Sequence, residues 1–271
     1  MISNAPSATR SFSVPTPLSV MGVPIVPFET YDHALQCITE TIESGQKSSC
    51  VAVNPIKIHR AWQDPSLLNI LRETEMCICD GVGVSIAAKI LCGRSLNRIT
   101  GCDLFFRLLS LASEKRWGVY LLGASVESNA VARSKLERMY PGLRIVGGHH
   151  GYFEDPQEVI EQINAARTDL LFVAMGSPKQ EYWIWRHRRA INASFCMGVG
   201  GSLDIASGSL RRAPAIFRLT GTEFLFRFAL EPRKRLSHQG ILLRFLFRVI
   251  GTRLSGAGVL PAGTHEINRE S

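Results

Sequence analysis

The chain has 271 residues, of which 45% are hydrophobic and 20% are charged, and its formal net charge is +8 at pH 7. This length and composition are typical of a globular protein with a sizeable core, and they exclude a fibrous or wholly disordered chain. No apolar run reaches the roughly 18 residues that a spanning helix needs, so the sequence predicts no transmembrane anchor.

From about residue 48, short apolar runs alternate with helical stretches, which is typical of an α/β fold with a Rossmann-like parallel sheet. Six runs are predicted strands, at residues 49–53, 76–79, 117–122, 143–146, 170–175 and 194–199. Helices are predicted at residues 55–62, 83–91, 103–114, 126–139, 156–166 and 178–189, with Asp103 as the N-cap of the third. Ligands of such sheets bind beyond the carboxyl ends of the strands, so we expect chemistry in the loops at residues 54, 80, 123, 176 and 200.

The pattern changes after about residue 212. Pro214 is predicted to begin a helix through residue 230, Pro232 breaks it, and a basic amphipathic helix continues to about residue 250. The predicted organisation is a tail at 1–20, an α/β domain at 21–210, a basic helical appendage at 211–254 and a second tail at 255–271. The first tail lacks the apolar stretch of a secretory signal, and the seven cysteines form no CxxC pair, which favours free thiols in the cytoplasm.

The positive charge is concentrated in one segment. Ten basic and two acidic residues lie between Arg211 and Arg253, and this excess equals the formal net charge of the whole chain. Such a local excess indicates a partner surface rather than general solubility. An anionic lipid surface fits the interleaved Phe and Leu residues better than a nucleic acid does.

An acidic residue follows the second predicted strand, in Cys79-Asp80-Gly81-Val82-Gly83. Glycines after a strand let the backbone approach a ligand, and a carboxylate in such a place can remove a proton from an attacking hydroxyl. Asp80 is therefore a candidate general base. The alternative is a structural role as a helix N-cap.

Two other strand-to-helix turns have the composition of anion sites. They are Gly176-Ser177-Pro178-Lys179-Gln180-Glu181 and Gly198-Val199-Gly200-Gly201-Ser202. Helix N-termini and glycine turns bind phosphate through their N–H groups, although ordinary βα turns share this composition.

Three common signatures are missing from the sequence. It contains no GxGxxG and no GxxxxGK[ST], which disfavours a dinucleotide dehydrogenase and a P-loop nucleotidase. It also contains no Asp-x-Asp, the arrangement that many sugar transferases use to hold a metal against a diphosphate. Arginines of the basic segment could neutralise a diphosphate instead, because a guanidinium binds phosphate oxygens in bidentate fashion.

Together these segments resemble the WecG/TagA/CpsF family of glycosyltransferases over about residues 23–248. The matching stretches are Val53-Asn54, Asp80-Gly81-Val82-Gly83-Val84, Arg98-Ile99-Thr100-Gly101-Cys102-Asp103-Leu104-Phe105, Met175-Gly176-Ser177-Pro178-Lys179-Gln180-Glu181, Gly198-Val199-Gly200-Gly201 and Arg212-Ala213-Pro214. Several ordered blocks at compatible spacing are more specific than any single motif.

The resemblance implies a Rossmann-like core, inverting transfer without a metal or cofactor, and an appendage that docks on the membrane and helps close the active site. It implies that Asp80 is the general base. With the two glycine turns included, the predicted substrate-binding residues are Asn54, Thr100, Asp103, Gly176, Lys179, Gln180, Glu181 and Gly200. The arginines implied to meet the diphosphate are Arg212, Arg227 and Arg233.

The predicted function is transfer of a sugar from a UDP-sugar to a polyprenyl-diphosphate-linked saccharide, in cell-surface polysaccharide synthesis at the inner face of the cytoplasmic membrane. Ala52 and Cys102 stand where the teichoic-acid branch of the family often has Thr and Tyr. These departures leave the donor open among UDP-N-acetylmannosamine, its uronic acid and UDP-glucose. Whether the chain forms a homo-oligomer is a separate question that the sequence also leaves open. The alternatives are a nicotinamide- or S-adenosylmethionine-dependent Rossmann enzyme and a basic nucleic-acid-binding module.

Overall fold

The structure is a computed structural model that describes residues 14–230 and 232–255, apart from several side chains of the C-terminal helices. Those side chains belong to Leu219, Arg227, Arg233, Lys234, Arg235, Ser237 and His238. Most of the two predicted tails lies outside the described residues. Among the described residues, the first strand nevertheless begins at Leu18, inside the segment predicted as the first tail.

Six parallel strands form the central sheet, as predicted. The strands of the chain are β1 (Leu18–Val20), β2 (Val23–Ile25), β3 (Ser48–Val53), β4 (Met76–Cys79), β5 (Gly118–Gly123), β6 (Arg144–His149), β7 (Leu170–Ala174) and β8 (Phe195–Gly198). The order in the sheet is β4-β3-β8-β7-β5-β6, and β1 and β2 form a separate antiparallel pair. Val51 of β3 lies beside Gly198 of β8, and so does Val173 of β7. The carboxyl ends of the three central strands are therefore aligned at one edge.

Helices cover both faces of the sheet. They are α1 (Tyr31–Glu43), α2 (Pro55–Gln63), α3 (Pro65–Glu73), α4 (Val82–Cys92), α5 (Gly101–Lys115), α6 (Val126–Met139), α7 (Pro156–Ala165), α8 (Lys179–His187), α9 (Ser202–Ser207), α10 (Ala215–Thr220), α11 (Glu223–Leu230) and α12 (Pro232–Leu254). Side chains alternate along β3, so that Ala52 packs in the cluster with α1, α5, α6 and α9, whereas Val51 and Val53 pack in the cluster with α2, α3, α4 and α12. A third cluster holds α7 and α8 against β5, β7 and β8.

One helix N-cap and the continuity of one helix differ from prediction. Asp103 is not the N-cap of α5: Thr100 takes that position, and its hydroxyl accepts a hydrogen bond from the Asp103 N–H at 3.2 Å. The predicted helix from Pro214 to residue 230 is divided into α10 and α11. Gly221 ends α10 with φ +75°, and an added Cβ there would lie only 3.3 Å from Val82 Cβ, so glycine lets this turn approach α4 closely.

One predicted strand is longer than the sequence indicated. The prediction ended at residue 146, whereas β6 continues to His149. Gly147 and Gly148, which weaken a strand pattern, are required here by packing. A Cβ at Gly147 would lie 2.5 Å from the Tyr120 ring, and one at Gly148 would lie 2.9 Å from Arg133 Cδ.

Helix α12 packs back on the α/β body, where it contacts α2 and α4. Phe245 and Val249 are buried in the cluster beneath it, and the Phe245 ring stacks on Trp62 with centroids 5.8 Å apart. The opposite face of α12 is apolar and exposed at Leu243, Phe247, Ile250 and Leu254. Among the described residues, no helix has the length and hydropathy that crossing a bilayer requires.

Candidate functional site

A cleft of about 640 Å³ lies between the carboxyl edge of the sheet and the C-terminal helices. This volume is within the range of small-molecule sites, which is roughly 300–1,000 Å³. The turns after β3, β4, β7 and β8 contribute Asn54, Asp80, Gly176 and Gly200 to its lining, as predicted from the fold. The fifth predicted loop, at Gly123, is not part of the lining. A Cβ at Gly123 would lie 2.3 Å from the Ala174 carbonyl oxygen, so this residue packs against β7 instead.

Asp80 stands at the end of β4, where its N–H donates to the Val53 carbonyl at 2.9 Å. It is partly buried and lines the cleft. The N-cap of α4 is Gly81, with no side-chain capping hydrogen bond, so the alternative interpretation of Asp80 as an N-cap is wrong. Glycine is needed in the first turn of α4, because a Cβ at Gly83 would lie 2.6 Å from Pro55 Cγ. The β4 turn can therefore lie directly against the turn after β3.

Helix N-termini border the cleft at several of these turns. Asn54 caps α2, and its Oδ1 accepts from the Lys57 N–H at 2.9 Å. In contrast, the N-cap residues of α4 and α8 are Gly81 and Pro178, and neither makes a side-chain capping hydrogen bond. The N-terminus of a helix carries a partial positive charge and favours anions. This edge of the sheet is therefore suited to phosphate groups.

Two arginines that the sequence analysis gave no role line the cleft. Arg60 Nη1 donates to the Ser177 carbonyl at 2.8 Å, which joins α2 to the turn before α8. Arg98 pairs with Glu223 at 3.5 Å and donates to the Arg218 carbonyl, which joins the body to α10 and α11. Arg98 belongs to one of the family-matching blocks, whereas no sequence signal set Arg60 apart from a surface arginine.

Four of the predicted substrate-binding residues lie outside the cleft lining, namely Asp103 and three consecutive residues at the start of α8. Lys179 is exposed at the start of α8, whereas Gln180 and Glu181 are buried. Glu181 Oε1 lies 2.6 Å from Lys57 Nζ, and Gln180 Oε1 accepts from the Gly200 N–H at 3.0 Å. Thr100, by comparison, lines the cleft.

Asp103 and Arg212 pair with each other beside the cleft rather than on its wall. The Arg212 guanidinium donates to Asp103 Oδ1 and lies over the Phe106 ring, 5.3 Å from its centroid. Asp103 also accepts from the Thr100 hydroxyl at 2.8 Å. The other two predicted diphosphate ligands, Arg227 and Arg233, have side chains outside the described part of the chain.

The cleft has an apolar wall that sequence reasoning did not identify. Val82 and Ile86, one turn apart on α4, face it together with Phe224 of α11 and Leu242 and Leu246 of α12. Val82, Ile86, Phe224 and Leu246 are partly exposed to solvent. The sequence signal was the helical spacing of these residues, which burial in a core would explain equally well.

The cysteines are free thiols, and most of them are buried. Burial raises the pKa of the Cys77 and Cys79 thiols to about 12, which makes thiolate chemistry at these positions unfavourable. Within residues 14–230 and 232–255, no three His, Cys, Asp or Glu side chains are grouped so that they could hold a metal ion.

Comparison with known proteins supplies the family. The model of the "Glycosyl transferase WecG/TagA/CpsF family" matches residues 18–258. A relative from Bacillus spizizenii, named N-acetylglucosaminyldiphosphoundecaprenol N-acetyl-beta-D-mannosaminyltransferase, is 32% identical over 196 residues, which are 72% of this chain and 76% of the relative. A relative of the same name from Staphylococcus aureus strain MRSA252 is 33% identical over 200 residues, which are 73% of this chain and 78% of that protein. The chain therefore belongs to the WecG/TagA/CpsF family of glycosyl transferases.

Proposed function

We propose that this chain is an inverting transferase that moves a sugar from a UDP-sugar to a hydroxyl of a polyprenyl-diphosphate-linked saccharide. The observation that carries the proposal is the position of Asp80, a carboxylate in a cleft whose lining also includes helix N-termini and an apolar wall. A nucleotide-sugar donor suits the helix N-termini, and a lipid-linked acceptor suits the apolar wall. The two named relatives act on an acceptor of this kind.

In the proposed reaction, Asp80 accepts the proton of the acceptor hydroxyl while that oxygen attacks the anomeric carbon of the donor sugar. The bond from the anomeric carbon to the β-phosphate oxygen breaks, and UDP leaves with its negative charge. Attack from the face opposite the leaving group inverts the anomeric centre. The base and the diphosphate must therefore lie on opposite sides of the sugar.

The departing diphosphate needs positive charge that the chain itself can supply. The N-termini of α4 and α8 and the guanidinium of Arg60 border the cleft. We propose that Arg212, Arg227 and Arg233 add to this charge when donor is bound, which requires Arg212 to exchange its Asp103 contact for phosphate. No cofactor takes part in the proposed reaction.

The sugar and the acceptor are proposed to contact Asn54, Thr100, Gly176 and Gly200, which line the cleft. Cys102 also lines it, at one of the positions that depart from the teichoic-acid branch. The donor is therefore proposed from three sugars: UDP-N-acetylmannosamine, its uronic acid and UDP-glucose. The acceptor's prenyl chain is proposed to leave along the apolar wall between α4 and α12.

We further propose that the exposed face of α12 binds the inner surface of the cytoplasmic membrane. Its apolar residues lie at the spacing of one helix face, and Arg244, Arg248 and Arg253 stand close to them in sequence. An amphipathic helix of this kind lies in the plane of an anionic membrane, where each basic residue contributes roughly 1 kcal/mol. A membrane-bound α12 would place the apolar wall next to the lipid from which the acceptor comes.

The transfer proposal is tested by incubating the full-length protein with the three UDP-sugars and a short-chain prenyl-diphosphate N-acetylglucosamine, with mass spectrometry of the products. We expect one donor alone to add a single sugar residue, and NMR of the isolated product should show the anomeric configuration inverted relative to that donor. Asp80→Asn should lose this activity, and Asp155→Asn provides its matched control, since Asp155 caps α7 and Asn caps a helix equally well. Absence of product from every donor, in a protein that shows a thermal shift with UDP, would contradict the proposed acceptor class.

A further inference from the structure

A buried ion pair joins the lining of the cleft, to which Lys57 belongs, to Glu181 just outside it. Lys57 Nζ and Glu181 Oε1 are 2.6 Å apart, and the two side chains are only 5% and 1% exposed. Taking two charges out of water is so unfavourable that replacing a buried pair by apolar residues is often neutral or stabilising. Stability alone therefore does not account for the pair.

The pair is the first link in a chain of contacts that ends at the cleft. Glu181 Oε1 also accepts from Gln180 Nε2 at 3.0 Å, and Gln180 Oε1 accepts from the Gly200 N–H at 3.0 Å. Gln180 is 3% exposed, and a Cβ at Gly198 would lie 2.4 Å from its Nε2. The amide of Gln180 is thus enclosed against β8, with Glu181 on one side and the 198–201 turn on the other.

The chemistry of the groups decides which way this amide points. A carboxylate only accepts hydrogen bonds, so Glu181 must face the NH₂ group of Gln180. The amide oxygen is then directed to the Gly200 N–H. Lys57 provides the opposite charge that a carboxylate removed from water requires. Without the pair, only the Gly200 N–H would select this orientation of the amide over its flip.

We propose that Lys57 and Glu181 are positioning residues that orient the Gln180 amide and thereby hold the 198–201 turn for the donor. Lys57 also lies in the first turn of α2, next to the Asn54 cap, so the pair ties the turn after β3 to the turns after β7 and β8. That the 198–201 turn contacts the sugar donor rests on the proposed function, whereas the effect of the ion pair on the conformation of this turn does not. Gly200 has φ +51° and its N–H is held by Gln180, so loss of this hydrogen bond should release the turn.

The test replaces the pair as a whole, in the full-length chain, with Lys57→Met and Glu181→Met together. The matched control is Lys115→Met with Glu43→Met, which removes an exposed pair of the same residue types and nearly the same length, 2.7 Å. We expect the buried double variant to keep a melting temperature close to that of the wild type. Its donor KM should rise, kcat/KM should fall by about 10- to 100-fold, and the acceptor KM should stay unchanged. The control should change none of these values.

Hydrogen exchange of the free protein gives a second readout that needs no substrate. The backbone amide of Gly200 should exchange faster in the buried double variant and as in the wild type in the control. Gln180→Met, which removes the acceptor of the Gly200 N–H but leaves the pair in place, should reproduce the faster exchange and the higher donor KM. It also keeps the test available if the double variant does not fold.

Unchanged exchange at Gly200 and an unchanged donor KM in folded variants would overturn the inference. A wild-type protein that transfers no sugar would instead refute the proposed function, and the exchange measurement would still decide the role of the pair.

Discussion

Two phenylalanines of α12 are predicted to separate the docking of this helix on the body from its contact with a membrane. Phe245 is 4% exposed and stacks on Trp62, whereas Phe247 is 71% exposed. They share residue type and helix and differ mainly in the surface that they face. We therefore expect Phe245→Ala to undock α12 and Phe247→Ala to leave it docked.

The size of the first effect follows from burial. Truncating a buried Phe to Ala costs about 3–5 kcal/mol, which includes the cavity that remains. If this cost falls on the docked state of α12 alone, the undocked fraction rises by about 10² to 10⁴, since each 1.36 kcal/mol is a factor of ten. Val249 remains buried in the same cluster, so the helix keeps part of its contact with α2 and α4. Phe247→Ala has no such cost, but it removes an apolar group worth about 1.5–3 kcal/mol when a membrane buries it.

Limited trypsin digestion at Arg244 and Arg248, together with sedimentation with anionic vesicles, measures both effects. Phe245→Ala should be cleaved faster in proportion to the undocked fraction. Phe247→Ala should be cleaved at the wild-type rate and should bind the vesicles at least about tenfold more weakly. Wild-type protection in Phe245→Ala, or equally fast cleavage in both variants, would refute the assignment of the two faces.

Three further predictions concern the body of the protein. Gly83→Ala should lower the free energy of unfolding by about 1–3 kcal/mol in denaturant melts, because the added Cβ would lie 2.6 Å from the rigid Pro55 ring. The control is Gly240→Ala in α12, where an added Cβ would meet no atom within 4 Å, and this variant should be neutral or stabilising. Burial, and to a lesser degree the nearby Arg244, lowers the pKa of His59. As the pH drops below about 6.5, the unfolded chain therefore binds a proton that the folded chain does not, and the free energy of unfolding should fall. His59→Phe should reduce this slope in urea melts, and an identical slope in both proteins would contradict the cause. Sugar transfer should persist in EDTA, since the positive charges proposed to neutralise the diphosphate belong to the chain itself. Loss of activity in EDTA that Mg²⁺ restores would contradict this metal-independent mechanism.

The sequence predicted most of the sheet well because every strand but β6 is a largely apolar run that is buried on both faces. Residues 170–175, for example, correspond to β7, Leu170–Ala174, in which every residue is buried. The convergence of Asn54, Asp80, Gly176 and Gly200 also followed from the fold, since parallel strands end at the same edge. The roles predicted for these residues rest on the chemistry of the side chains and turns and on the family resemblance, not on the sheet alone.

The remaining features depend on long-range contacts that a linear pattern does not contain. The α10–α11 division depends on Gly221 meeting Val82, which lies far away in sequence. Glu181 was predicted at the substrate but is buried against Lys57. The sequence could not distinguish these positions, because a charged residue in a βα turn gives the same pattern whether its side chain faces a ligand or a buried partner. Arg212 was predicted at the diphosphate and is paired with Asp103, a pairing that spans more than 100 residues. The helices α1, α3 and α9 and the β1–β2 pair were not predicted at all.

The most direct test of the central claim is the single-turnover rate of sugar transfer by Asp80→Asn, with donor binding measured in parallel. Asparagine keeps the shape of the side chain but cannot accept the acceptor's proton. A rate about 10² to 10⁴ times slower than that of the wild type, with the thermal shift by UDP retained, is the result that we predict. A near-normal rate would show that another group removes the proton and would contradict the role assigned to Asp80.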